Sequence, residues 1–184
     1  MGIWRWTYGR KAAGPMKYGR DPVAIAPEVL RGYPMHLSLN QIVSHAKRAV
    51  PEPEAAARSC AWLEACGYPG IKLLLEARAD ERRAVNLIPD AMGLDLQNVS
   101  CVFLAPQIAA HVAQHGRVFL RNVRHGLYLV PLSVEANIGI GCPVDPAFAL
   151  GGERHKNPYS EKLEIAARDG VTVDDDVWHA LELI

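Results

Sequence analysis

Arginine recurs at Arg117, Arg121 and Arg124, and Arg154 and Lys156 follow further along the chain. Guanidinium forks suit carboxylates and phosphates, because two parallel N–H groups meet two oxygens. In the run from Arg117 to Arg121 the arginines alternate with Val118 and Leu120, which puts them on one face of a strand. If Arg154 and Lys156 fold back over that face, a pocket for a small anion results. The competing reading is a solvated polar sheet face. Sequence alone favours it, because nothing in the order of residues shows the fold-back.

Cys142 stands in Gly139-Ile140-Gly141-Cys142-Pro143. A cysteine nucleophile needs a base and a lowered pKa. His125 and His155 are the candidate bases, and Asp145 could orient one of them. No protease or amidase signature surrounds the cysteine, so a packed thiol in a tight Gly-Pro turn is the simpler reading. His111 and His115 are four residues apart, a spacing that chelates metal on one helix face. No Glu lies between them in a zinc-protease pattern, and no third ligand is identifiable, so no metal is assigned. Gly139-x-Gly141 is too short for a dinucleotide fingerprint. The chain has no phosphate-binding Gly-Lys-Ser loop and no Gly-x-Ser-x-Gly elbow. No cofactor is identifiable.

The elements that must position these groups read as an α+β domain. Leu37-Ser38-Leu39-Asn40-Gln41-Ile42 is a helix start: Ser38 and Gln41 form a capping box, with Leu37 and Ile42 as its staple. That helix runs to Val50, where Pro51 stops it. A second helix from Pro53 closes at Gly67, and a third spans Ile71 to Arg78. Val99 to Leu104 reads as a buried strand, and Pro106 to His115 as a short helix. Arg117 to Val123 and Leu127 to Leu132 read as strands of a hairpin turning through Gly126. Asn137 to Asn157 reads as a long connection, with one helical turn at Asp145-Pro146-Ala147-Phe148. A helix from Asn157 to Arg168 follows, then a last one from Asp174 with Val173 and Trp178 as staple. The expected architecture is an N-terminal helical layer, a small mainly antiparallel sheet with a hairpin, and C-terminal helices.

The full set of 184 residues fits one domain, and 49% hydrophobic with 22% charged side chains is ordinary for a soluble protein. Zero net charge argues against nucleic acid and anionic membranes as partners. No apolar run is long enough to span a bilayer. Four scattered cysteines without a Cys-x-x-Cys pair suit a reducing cytoplasm. Residues 1–34 are basic before Asp21 and broken by Gly and Pro. They read as a weakly ordered extension to a domain over 35–184.

The motifs Ser38-Leu39-Asn40, Lys47-Arg48-Ala49 and Trp62-Leu63-Glu64 carry a resemblance. So do Asn98-Val99-Ser100-Cys101, the segment Phe119 to Gly126, and Asn137 to Asp145. Over roughly residues 37–184 the chain resembles a bacterial family known as domain of unknown function thirty-seven twenty-six. Two departures stand out. Pro51-Glu52-Pro53-Glu54 replaces a Gly-rich link, and an Arg-Thr-Tyr-like tail after the last helix is missing. The resemblance implies a fold and no activity. Function therefore rests on the residues. The leading expectation is a cytosolic ancillary protein binding a small anionic metabolite. The alternatives are an enzyme using Cys142 or His155, and a subunit docking a protein partner or a second copy through helices 39–78.

Overall fold

A computed structural model describes residues 33–50, 53–142, 148–154 and 156–184. The expected basic extension falls outside them as far as residue 32.

The chain enters on β1 (Met35–Leu37) and turns into α1 (Leu39–Ala46). Both halves of the capping box form: Gln41 N–H donates to Ser38 Oγ at 3.3 Å, and Ser38 N–H to Gln41 Oε1 at 2.9 Å. Leu37 and Ile42 are buried as the staple requires. The helix ends four residues before the expected Val50, and turn backbone carries Ala49 and Val50 into the core. The Ala-rich α2 (Pro53–Ala65) and the short α3 (Gly70–Arg78) complete the helical layer. Gly70 is where α3 crosses α2. A Cβ there would lie 2.4 Å from the Cys60 carbonyl oxygen and 2.9 Å from Leu63 Cβ, so only glycine permits the approach.

A five-stranded sheet follows in the order β2-β3-β4-β6-β5, from β2 (Pro89–Asp90), β3 (Gly93–Asp95), β4 (Val118–Arg121), β5 (Ile138–Gly141) and β6 (Phe148–Glu153). Only the β3–β4 pairing is parallel. Leu94, Leu120 and Leu150 are fully buried on its inner face. They meet α4 (Cys101–His115) and α5 (Leu129–Glu135). The chain closes with α6 (Ser160–Asp169), β7 (Val171–Val173) and α7 (Asp175–Glu182). β7 pairs antiparallel with β1, which ties the two ends of the domain together. Val173 and Trp178 are both buried as the staple of α7. The α+β architecture and the mainly antiparallel sheet are as expected.

Three sequence expectations are corrected. Val99 to Leu104 is not a strand. Ser100 caps α4 by accepting the Val102 N–H at 3.1 Å, and Cys101, Val102, Leu104 and Ala105 are buried as helix. A short apolar run has no period to separate the two states. Pro106 consequently sits inside α4 rather than in its first turn.

Leu127 to Leu132 is not a strand either. Gly126–Tyr128 forms a 3-10 turn that runs into α5, and adjacent Tyr128 and Leu129 are both fully buried, which no half-exposed strand allows. The positive φ falls on His125 (54°), not on Gly126.

The hairpin lies elsewhere, between β5 and β6, inside what reads as a long loop. Phe148 belongs to β6, so it takes no part in a helical turn, and residues 143–147 fall outside the described set.

Candidate functional site

Two of the expected anion-binding arginines have internal partners. Arg121, at the end of β4, pairs with Asp90 of β2. Arg124 reaches Asp80, just past α3, at 2.9 Å, and the Asp80 side chain is largely buried. Arg117 is exposed, with Nη2 3.6 Å from where a Cβ on Gly152 would lie. Lys156 is exposed beyond β6. Two of the five cations are therefore matched by acids within the fold.

Next to Arg124 the fold assembles a group the sequence does not announce. Ser100 Oγ and His125 Nδ1 are 2.8 Å apart, and His125 Nε2 is 3.4 Å from Glu76. Serine, histidine and glutamate are the residue types of a hydrolytic triad. Here, however, Ser100 is fully buried and its Oγ already caps α4. The unit is a bracket joining the end of α3, the start of α4 and the turn before α5. Burial holds the His125 imidazolium form down, with the Arg124 charge next; Glu76 and Asp80 oppose them.

Its folded pKa therefore lies below the ordinary value of about 6.5. The stability from neutral His125 is complete above that value and is lost as pH falls through the lower folded pKa. Thermal melts between pH 8 and 5 should show the wild type losing stability on acidification more steeply than His125→Asn. Asparagine tolerates the left-handed backbone at that position. Parallel slopes would remove His125 from the account.

Arg154, unlike Arg121 and Arg124, has no ion pair among the described residues, and, like Arg121 with its Nε, it buries an unpartnered nitrogen. It is half-buried just past β6, and its Nη1 is buried with no hydrogen-bond partner among the described residues. Burying an unpaired guanidinium nitrogen is costly. The group lies within electrostatic reach of Tyr159. The Tyr159 phenol is held above its usual pKa by its hydrogen bond to Tyr68 and by burial, while the Arg154 charge pulls the other way. The two phenol oxygens are 3.3 Å apart, and the Trp62 ring meets Tyr159 edge-on at 4.8 Å. Lys162, on α6, donates to the Cys66 carbonyl at 3.1 Å. Cation, phenols and indole thus converge where α2, α6 and the end of β6 meet.

Of the four cysteines, Cys60, Cys66 and Cys101 are buried. Burial pushes the Cys66 thiol up to about 11 and that of Cys101 up to about 12, which removes both as nucleophiles near neutral pH. Cys142 is exposed just past β5. Its expected partners His155 and Asp145 fall outside the described residues. The rings of His111 and His115 are 4.5 Å apart, and no group of three metal-ligating side chains exists among the described residues.

Sequence reasoning grouped Arg154 with Tyr159 but missed Tyr68 beside them, and it gave Ser100 and Glu76 no role. Trp62 and Glu64 stood in a family motif without a role. No family model, curated protein or solved structure matches the chain.

Proposed function

We propose that the domain is a cytosolic ancillary protein that binds a small anionic metabolite at Arg154, against the Tyr159 phenol. One observation supports this reading. Arg121 also buries a nitrogen, its Nε, without a hydrogen-bond partner, but its charge and that of Arg124 are matched by Asp90 and Asp80, whereas Arg154 joins a buried unpartnered Nη1 to the lack of any ion pair among the described residues. A carboxylate or phosphate would satisfy that nitrogen with a charge-assisted hydrogen bond. Arg117 and Lys156 then act as peripheral cations. No helix among the described residues is long and apolar enough to cross a membrane.

A thermal-shift screen of carboxylate and phosphate metabolites tests the reading. A ligand at 100 times its Kd adds about 2.7 kcal/mol, or a rise of roughly 5–10 °C for a domain of this size. The rise should vanish in Arg154→Ala.

The docking alternative draws no support from helices 39–78. The large apolar side chains that are exposed, such as Ile88, Met92 and Phe119, lie outside them. The enzyme alternative retains the exposed Cys142; of its two candidate bases His155 falls outside the described residues, and His125 is engaged by Ser100 and Glu76.

A further inference from the structure

Between the turn joining α2 to α3 and the segment joining β7 to α7 lies a cavity of about 280 Å³. At about 30 Å³ per water, that is room for about nine waters or a small organic molecule. Pro69, Val173 and Val177 give it an apolar floor, and the Tyr68 ring forms one side.

Three charged side chains line it, and two of them, the exposed Asp174 and Lys72, have no ion pair among the described residues. Asp174 is the N-cap of α7, with the extended backbone (φ −62°, ψ 132°) from which aspartate ordinarily accepts a helix N–H. It makes no such bond, and its carboxylate has no hydrogen bond or ion pair among the described residues. Lys72, on α3, lines the same cavity and likewise has no ion pair among them. Glu64 is the third charge. Its Oε1 accepts the Ile71 N–H at 2.8 Å, which fixes the carboxylate at the start of α3. Burial, and to a lesser degree the nearby Asp174, raises its proton affinity, while the backbone N–H groups of Ile71 and Gly70 oppose them.

Opposite charges that line one cavity without meeting are best satisfied by a ligand carrying both signs. We propose that this cleft binds a small zwitterion of amino-acid type, its ammonium held by Asp174 and Glu64 and its carboxylate by Lys72. The Tyr68 ring face offers the ammonium a further favourable contact. The site is separate from the anion site at Arg154, although Tyr68 borders both.

The test uses the full chain and a ladder of amino acids with growing charge separation: glycine, β-alanine, 4-aminobutyrate and 6-aminohexanoate. Butyrate and butylamine are the single-charge controls. At least one zwitterion should bind saturably in calorimetric titration, and neither control should. Asp174→Asn and Lys72→Gln should each weaken that binding at least about tenfold, the loss of one charge-assisted hydrogen bond. Both are surface positions, so their melting temperatures should stay near wild type. Arg154→Ala should leave the affinity unchanged, which separates this site from the anion site. No binding by any member of the ladder, equal binding of butyrate or butylamine, or unchanged affinity in both variants would overturn the proposal.

Discussion

Tyr128→Ala should destabilise the domain by about 3–5 kcal/mol, the usual cost of truncating a buried aromatic ring. Tyr128 is the largest fully buried side chain among the described residues. It stands where the 3-10 turn meets α2 and α4, and its hydroxyl donates to the Gly70 carbonyl at 2.8 Å. The expected readout is a urea midpoint that falls while the slope stays at the wild-type value. Tyr128→Phe separates packing from hydrogen bonding. It keeps the ring, and should cost only about 0.5–1.5 kcal/mol, the net worth of one such bond. If Phe costs as much as Ala, the ring is not what fills this part of the core.

Gly70→Ala should cost at least about 1–3 kcal/mol through overpacking. The nearest atom is backbone, the Cys60 carbonyl oxygen at 2.4 Å, and it cannot rotate away as a side chain can. Relief requires α3 to move off α2. That motion would also carry Glu64 and Tyr68 away from their present partners, since Glu64 accepts the Ile71 N–H and Tyr68 lies in the turn between the two helices. The variant should therefore lose ligand responses at the cleft along with stability. Chemical denaturation beside the amino-acid titration measures both. Full stability in Gly70→Ala would mean that the helix crossing tolerates a wider spacing.

The helices with clear punctuation were legible in the sequence. Ser38 with Gln41, Gly67 after α2, and Val173 with Trp178 each marked a boundary that the fold respects, because caps and staples are local interactions. The segments that misled lacked a local signal. Apart from Ser100, Val99 to Leu104 is apolar on every side, and its state is decided by Ser100 capping α4 and by what packs around it. Leu127 to Leu132 is apolar or aromatic throughout and has no period to read, and Tyr128 and Leu129 are both drawn into the core by tertiary contacts. The β5–β6 hairpin was hidden by its glycines, which carry no side-chain pattern to read. Gly139, Gly141, Gly151 and Gly152 all lie on its strands.

The candidate site follows the same division. The arginines were visible as residue types, but their partners were not. Asp90 and Asp80 lie 31 and 44 positions before Arg121 and Arg124 (121 − 90 and 124 − 80), and only the folded chain brings them together. Tyr159 stands within the helix expected from Asn157, and the structure adds that its phenol meets that of Tyr68, 91 positions earlier. The unmatched charge of Arg154 has no counterpart in sequence pattern, because being unmatched is a property of three-dimensional surroundings.

The most direct test of the anion reading is titration of the full chain with the carboxylate or phosphate that most raises its melting temperature, alongside Arg154→Ala and Arg121→Ala. The Arg121–Asp90 pair is partly exposed, so its loss should cost under about 1 kcal/mol and leave the fold intact. The account predicts that Arg154→Ala weakens binding at least about tenfold while Arg121→Ala binds as the wild type does. Wild-type affinity in Arg154→Ala, or loss of binding only in Arg121→Ala, would contradict it and return the anion site to the outer face of β4.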